Sequence, residues 1–588
     1  GNPFPLIPDD DPLRVLFDPR WYARQRPEVT GTESELFDDW IRVGSFSGIG
    51  PHPLFDAEWY LSENPDLPRG QLEAFDAARH FVHHGYREGR SPHPLFDLPY
   101  YLEVHPEVGV FGLNPLLHYL EVGDSNGFWP NRFVDPRFYR SRTATGGNSC
   151  MHLAEFADRY VSPSELFDSE WYLETYLDAR QSSLHPLLVH IRGGHDRPTS
   201  PEDPRVLTAV QALDDRWPSL RQLRTFRGQG PGRINLVTDS LSADSLFGGV
   251  ATAVILAALW SRASGREVRV ITRSGTAEPE ACRAILALAG IELPGNPEFV
   301  RHGAVERDVI DVVEDDLWLT TSWWTSAAVR ASVDPERVVY LLQEDERAFY
   351  EAGDSSVRAW QEMTREEGFT VVNSRRLLDH LVASGAANLA KSGVSFDASF
   401  ATFSMIDRVS KGDRRVLAFY SRPNHPRNLW ALGLDILRTA FDRGELDPKD
   451  WEVHFMGAGT PAISISGVRV INHSTLPWSD YASLLGRVDV GLSLTATPHT
   501  SYPPLDMLAA GALVVTNSWP GKDHLDAYGD RLLVAPPNRD ALVEALTTAA
   551  DRVMANERSH ETPAVLTRTW SEQLDDVVAQ LIRRYGRV

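Results

Sequence analysis

Two rhythms of apolar and polar positions divide this chain. Over residues 1–205 aromatic residues recur in a fixed unit: an aromatic, Asp, two variable positions, then an aromatic pair. From residue 233 the pattern changes to short, near-continuous apolar runs separated by helical periodicity. The runs Ile234–Thr238, Val268–Thr272, Leu317–Thr321, Val338–Leu342 and Thr370–Asn373 read as buried strands. After a polar break at Lys411–Asp413 the series restarts with Val416–Tyr420, Val453–Met456, Val468–Ile471, Val488–Leu494 and Leu513–Thr516. Strands apolar throughout that alternate with helices predict parallel, doubly wound sheets. The expected architecture is an all-α repeat domain (1–205), a linker (206–232), two Rossmann-like α/β domains (233–410 and 411–569) facing a cleft, and a closing amphipathic helix (570–588).

The repeat appears as Phe17-Asp18 with Trp21-Tyr22, Phe55-Asp56 with Trp59-Tyr60, Phe96-Asp97 with Tyr100-Tyr101, Val134-Asp135 with Phe138-Tyr139, and Phe167-Asp168 with Trp171-Tyr172. A spacing of about 40 residues is that of helix-pair repeats. Asp is a strong N-cap, and Pro19 and Pro136 suit a first helical position. The preceding Phe and the Tyr four places after Asp take staple positions. Gly85, Gly123 and Gly193, each a few residues after a His, read as helix C-caps. Trp21, Trp59 and Trp171 could be sugar-stacking platforms, but staples and core of helical hairpins account for all five copies at once.

A net charge of −23 argues against nucleic-acid binding, which needs a basic face. Cys150 and Cys282 are far apart, which disfavours a disulfide framework or zinc site, and no charged-apolar-small leader opens the sequence. The longest apolar run, Gly249–Trp260, is too short to cross a bilayer. These features together suggest a cytoplasmic protein without a transmembrane segment.

The chemistry concentrates at strand ends. In Tyr420-Ser421-Arg422-Pro423-Asn424-His425-Pro426-Arg427, two arginines follow a strand and can offer planar, permanently charged donors to phosphate. Gly491–Asn517 reads as strand, proline-stiffened loop, helix and strand, placing Ser501, Tyr502 and Asp506 at a carboxyl sheet edge, where open α/β folds bind nucleotides. Backbone N–H groups near Ser501 could meet phosphate at a helix start, and Asp506 could accept from ribose or sugar hydroxyls. Gly248-Gly249, after the first strand, would let backbone approach a diphosphate closely. Gln343-Glu344-Asp345-Glu346 is a candidate for acceptor binding or base work, and Trp323-Trp324 lines the acceptor side or fills core. The acidic runs Asp9–Asp11 and Glu314–Asp316 read as solvated charge rather than metal ligands. A Walker lysine and a full G-x-G-x-x-G are both absent, which disfavours a triphosphatase or dehydrogenase.

The segments 233–273, FYSRPNHPRN (419–428) and TSYPPLDMLAAGALVVTN (500–517) resemble WsaF-like rhamnosyltransferases, retaining GT-B glycosyltransferases of bacterial polysaccharide synthesis. The resemblance spans roughly residues 233–588, and the repeats resemble N-terminal extensions seen on some such enzymes. It implies transfer of L-rhamnose from a dTDP donor to a glycan or lipid-linked glycan, with retention, no metal and no cofactor beyond the nucleotide sugar. By position Arg422 and Arg427 match the group's cationic pair, and Gly248-Gly249 its glycine loop. The group's two loop carboxylates fall at Pro498 and Asp506, so only the second is kept. Alternatives are a UDP- or GDP-sugar donor, or a non-catalytic glycan-binding scaffold. The repeats would hold the acceptor chain, a partner protein or a second copy, and peripheral attachment to the inner membrane face is a further option.

Overall fold

The computed structural model describes residues 7–588 apart from 69–72, 157, 244–247, 304–307, 410, 411, 466, 475, 523 and 558–560. The break expected at Lys411 and part of the glycine loop (244–247) therefore lie outside the described residues. The chain divides into two compact units, Gly1–Gln211 and Ala212–Val588.

The first unit is a stack of helix pairs. Asp18, Asp56, Asp97, Asp135 and Asp168 are each the N-cap of a helix, with the carboxylate accepting from a backbone N–H two or three residues on. The backbone N–H of each cap donates to a carbonyl in the following loop: Pro51, Pro92, Pro130, Pro163 and Thr199. Each cap thus orders its own helix and ties it to its successor. The Phe before the cap meets the Tyr after it, with ring centroids 5.5, 5.5, 5.2 and 5.0 Å apart in the four Phe-bearing copies. Copies three apart also touch, through Arg24–Glu155 and Arg192–Asp56, so the array winds with about three units per turn.

Two details differ from the sequence reading. The tryptophans are half-buried rather than core; it is the second aromatic of each pair, Tyr22, Tyr60, Tyr101, Tyr139 and Tyr172, that is fully enclosed. The glycines Gly85 and Gly123 are not left-handed caps, a role taken four residues later by Gly89 and Gly127. They are close-approach sites. A Cβ there would overlap the Tyr60 or Tyr101 hydroxyl, and Gly44 and Gly194, not Gly193, do the same for Tyr22 and Tyr172. Each enclosed hydroxyl is satisfied by its own hairpin: Tyr60 on His80 Nδ1 at 2.9 Å, Tyr101 on His118 at 2.9 Å, Tyr139 on His152 at 2.9 Å, and Tyr22 on Asp39 at 2.6 Å. The His-aromatic-Gly signature is thus one hydrogen-bonded lock.

The second unit holds fifteen described strands. The first nine are β1 (Thr225–Arg227), β2 (Ile234–Thr238), β3 (Val268–Thr272), β4 (Glu298–Arg301), β5 (Ile310–Val312), β6 (Leu317–Thr320), β7 (Val338–Leu342), β8 (Phe369–Asn373) and β9 (Gly393–Phe396). The rest are β10 (Arg415–Tyr420), β11 (Trp451–Met456), β12 (Arg469–His473), β13 (Val488–Leu492), β14 (Leu513–Asn517) and β15 (Leu532–Ala535). One parallel sheet runs β4-β3-β2-β6-β7-β8-β9 and a second runs β12-β11-β10-β13-β14-β15, with helices between strands. Two such doubly wound sheets are the GT-B architecture. The sequence reading missed β1, β4, β5, β9 and β15, which are short strands of three or four residues, most of them at or near sheet edges.

The stretch 206–232 contains a helix, Ala209–Arg216, and β1, which pairs with β5. The closing helix, Trp570–Tyr585, returns to the first sheet's domain: Leu574, Val577 and Leu581 are fully buried among Ile255, Leu256 and Trp260. Its apolar stripe predicted burial, but amphipathy alone does not say against which domain. The run Glu314–Asp316 is also corrected, at one position. Asp316 is 1% exposed and held by Arg233 at 3.1 Å, so it belongs to a buried ion pair, whereas Glu314 and Asp315 are exposed as expected, Asp315 pairing with Arg266 at 2.8 Å at the surface. Cys150 and Cys282 are free and buried, and no described helix is long and apolar enough to span a membrane.

The lock in the repeats makes a measurable claim. Gly123→Ala should lower unfolding stability by about 1–3 kcal/mol through overpacking. Tyr101→Phe in the same chain should return part of that loss, because the clashing oxygen is gone, as read by thermal and denaturant melts in a double-mutant cycle.

Candidate active site

The order of each sheet reverses once, between β2 and β6 in the first and between β10 and β13 in the second. Crevices open at the carboxyl ends of such switch points. Here the two crevices share one cleft of about 720 Å³. All seven residues singled out from sequence, Gly248, Gly249, Arg422, Arg427, Ser501, Tyr502 and Asp506, line it.

Gly248 has φ +81° and precedes the sixteen-residue helix Gly249–Ser264, whose first turn faces the cleft. The positive φ favours glycine there, and a side chain at 249 would press on the Gln343 amide. On the opposite wall, Ser501 also has positive φ, +67°, unusual for a residue with a Cβ. Its N–H donates to His499 Nδ1 at 3.0 Å. His499 is buried and its pKa is pushed down to about 3 by burial, then by Arg427 and Lys522, so it is a neutral acceptor. The helix that follows, Tyr502–Ala509, begins at the cleft with Pro503 and Pro504 stiffening its first turn.

Arg422 and Arg427 leave β10 in a turn stabilised by a short helical segment, Pro426–Asn428. Arg422 donates to the Tyr420 hydroxyl at 3.1 Å and to His425 Nε2, while its Nε has no partner among the described residues. Burial and the two arginines push His425 down to about 4, so it stays a neutral acceptor that orients Arg422. The Arg427 guanidinium lies 4.5 Å from the Phe349 ring centroid and 3.6 Å from Glu344, both supplied by the first sheet's domain. The cationic pair is therefore held by fixed neighbours, with donor capacity left for a ligand.

Asp506 sits one full turn into its helix. It is 2% exposed; Oδ2 accepts from the Tyr481 hydroxyl at 3.1 Å, and Oδ1 has no partner among the described residues. Burial raises its pKa well above the ordinary carboxylate range. An orphaned polar atom in such a place implies a ligand group that completes it.

Tyr502 departs from the expected nucleotide contact. Its hydroxyl donates to Gln343 Oε1 at 3.1 Å, accepts from Asn373 Nδ2 at 2.8 Å, and pairs with Thr252 Oγ1 at 2.7 Å. Gln343 in turn donates to the Gly249 carbonyl at 2.8 Å. The phenol is fully used, and all three partners belong to the other domain, so Tyr502 clasps the two walls together.

Lys522 and Asp239 escaped the sequence reading. Glu344, weighed only as one of a run, is buried, and burial raises its pKa to about 7. It accepts from Thr497 Oγ1 at 3.3 Å, next to Pro498, so a carboxylate from the first domain stands beside the position where the loop carboxylate is missing. Lys522 is fully buried, donates to Thr495 Oγ1 at 2.6 Å and its carbonyl at 3.0 Å, and pins this loop. Asp239, at the end of β2, accepts from Trp324 Nε1 with both oxygens at 3.0 Å; Trp324 lines the cleft while Trp323 is core. Position at a strand end was the only signal for these, and it does not separate a ligand contact from a loop anchor. Among the described residues no group of three or more His, Cys, Asp or Glu side chains is set to hold a metal ion.

Tyr502→Phe should lower stability by about 1–3 kcal/mol, since buried Thr252 and Asn373 and half-buried Gln343 lose their shared partner at once. Equilibrium unfolding against wild type checks this.

Residues 233–375 match the model of the WsaF N-terminal domain, and residues 415–547 match the WsaF C-terminal domain. The O-antigen biosynthesis protein RfbC of Myxococcus xanthus is 29% identical over 386 residues, covering 64% of this chain. The match spans only 29% of that relative's length. Among solved structures, Anabaena HepE in complex with UDP and glucose superposes with a TM-score of 0.41 at 12% identity, over 61% of this chain and 100% of that one. Sucrose-phosphate synthase of Thermosynechococcus elongatus gives 0.39 at 13% identity, over 60% and 98%. With similarity to the two WsaF domains lying in order on its two parallel sheets, the cleft-bearing region of this chain resembles the WsaF glycosyltransferases and has the GT-B fold.

Proposed function

We propose that this protein transfers L-rhamnose from dTDP-rhamnose to a bacterial surface glycan or its lipid-linked precursor. The observation that carries the reading is the meeting of Arg422, Arg427 and two cleft-facing helix starts, at Gly249 and Tyr502, in one cavity. In the transfer, the bond from the sugar C1 to the diphosphate oxygen breaks and an acceptor hydroxyl forms the new glycosidic bond. Negative charge grows on the leaving diphosphate, where the guanidinium pair and the backbone N–H groups of the Gly249 helix start stabilise it without rearranging; Pro503 and Pro504 have no N–H to offer and the Ser501 N–H is taken by His499. On the retaining route the acceptor proton passes to a phosphate oxygen as the bond to C1 breaks. Asp506 Oδ1 suits a ribose hydroxyl, and Glu344 and Asp239 are the carboxylates nearest to hand for the sugar and acceptor hydroxyls.

Relatives support the polysaccharide setting: RfbC is named for O-antigen biosynthesis. The repeat unit fits as a scaffold for the glycan chain or a partner. In it Trp59, Asn64, Asp66 and Arg90 line a hollow of about 630 Å³, an aromatic surface edged by planar polar groups.

A melting experiment with dTDP, UDP and GDP tests the donor. Ligand at about a hundredfold its Kd should stabilise the fold by about 2.7 kcal/mol, with dTDP the most effective. Arg422→Ala should weaken binding by about ten- to a hundredfold, the worth of a charged hydrogen bond, and Asp506→Asn less. No stabilisation by any nucleotide, or full binding in Arg422→Ala, contradicts the assignment.

A further inference from the structure

The cleft has an end that the phosphate contacts leave unused. Moving outward from β10 the second sheet continues to β11 and β12, whose carboxyl ends bring Met456, Gly457, Ala458, His473 and Ser474 into the same wall. His473 closes β12. Its Nε2 lies 2.9 Å from His454 Nδ1, and the two rings are near-coplanar, 17° apart with centroids at 5.1 Å, the geometry of an edge-to-edge hydrogen bond. His454 is 2% exposed, and its Nε2 lies 2.9 Å from Glu452 Oε1. Glu452 also takes Arg487 at 3.1 Å and Arg469 at 3.5 Å.

This row of groups has one self-consistent proton order. The neighbouring cations keep Glu452 ionised, and a carboxylate only accepts, so His454 donates from Nε2. Burial holds both imidazoles below the ordinary His range, so each is neutral at pH 7 and carries one proton. His454 Nδ1 is then bare and accepts from His473 Nε2. That leaves His473 Nδ1 without a proton and, among the described residues, without a partner. The arrangement fixes the tautomer of a cleft residue through two groups behind it.

We propose that His473 Nδ1 is a fixed hydrogen-bond acceptor that reads the donor's nucleobase, favouring the imide N–H of thymine or uracil over cytosine, with His454 and Glu452 as positioning residues that set its tautomer. The inference rests on the nucleotide-sugar reading above, since the base must extend from Arg422 and Arg427 toward β12. An imide places an N–H between two carbonyls, which Nδ1 accepts. Cytosine has a bare N3 at that position, so two lone pairs would face each other.

Titration calorimetry on the full chain with dTDP, UDP and CDP tests this. Wild type should bind dTDP and UDP about tenfold tighter than CDP, the worth of one hydrogen bond. His473→Ala should bring the three within about threefold, chiefly by weakening dTDP and UDP. His473→Asn, which restores a carbonyl near the place of Nδ1, should recover part of the preference, an outcome that loss of packing alone would not give. In Glu452→Gln the amide can donate to His454 Nε2 and reverse the proton order, so the ratio should move toward CDP. Equal binding of all three by wild type, or an intact preference in His473→Ala, overturns the proposal while leaving the nucleotide site standing. Failure of wild type to bind any nucleotide overturns the underlying reading as well.

Discussion

One phenol holds the two parallel-sheet domains face to face. The Tyr502 hydroxyl spends its full hydrogen-bonding capacity on Thr252, Gln343 and Asn373, each from a different element of the opposite domain. Because Gln343 also binds the Gly249 carbonyl, the clasp fixes the start of one cleft-facing helix against the start of the other. Everything proposed for the cleft depends on that register. The arginines follow β10, the carboxylates Glu344 and Asp239 follow β7 and β2, and they form one site only if the two walls meet as they do. Arg427 reinforces the contact by pairing with Glu344 and resting on Phe349.

The electrostatics of the cleft follow from the same closure. Cations on one wall face carboxyl groups on the other, all with restricted access to water. Burial raises Glu344 to about 7, lowers Lys522 to about 7, and leaves His499 and His425 neutral. Neutral imidazoles can orient the arginine and the loop without competing for a phosphate. Asp506, raised by burial and with one oxygen unpartnered, is a polar group whose desolvation is offset only when a ligand arrives. Such a wall binds an anion locally in a chain whose overall charge is −23.

The architecture was legible because apolar runs such as Ile234–Thr238 and Val338–Leu342 are buried along their whole length, which only a covered parallel sheet allows. The five capping aspartates were legible for a similarly local reason. What stayed hidden depended on contacts distant in sequence. Nothing near Gly123 shows that Tyr101 will press on it, so a helix cap seemed the natural reading. Tyr502 stood beside Ser501 in a nucleotide-edge motif, and only the folded chain shows its hydroxyl committed to residues 129 to 250 positions away. Glu344 and Lys522 share this character: an acid and a base whose partners at Thr497 and Thr495 come from other elements.

The central claim is that the cleft between the two sheets holds a nucleoside diphosphate with its phosphates on Arg422 and Arg427. A crystal structure of the chain soaked with dTDP tests it most directly. The account predicts diphosphate oxygens within hydrogen-bond distance of both guanidinium groups and of the Gly249 helix start, with a ribose hydroxyl on Asp506. Density for dTDP elsewhere on the protein, with Arg422 and Arg427 untouched, would contradict it.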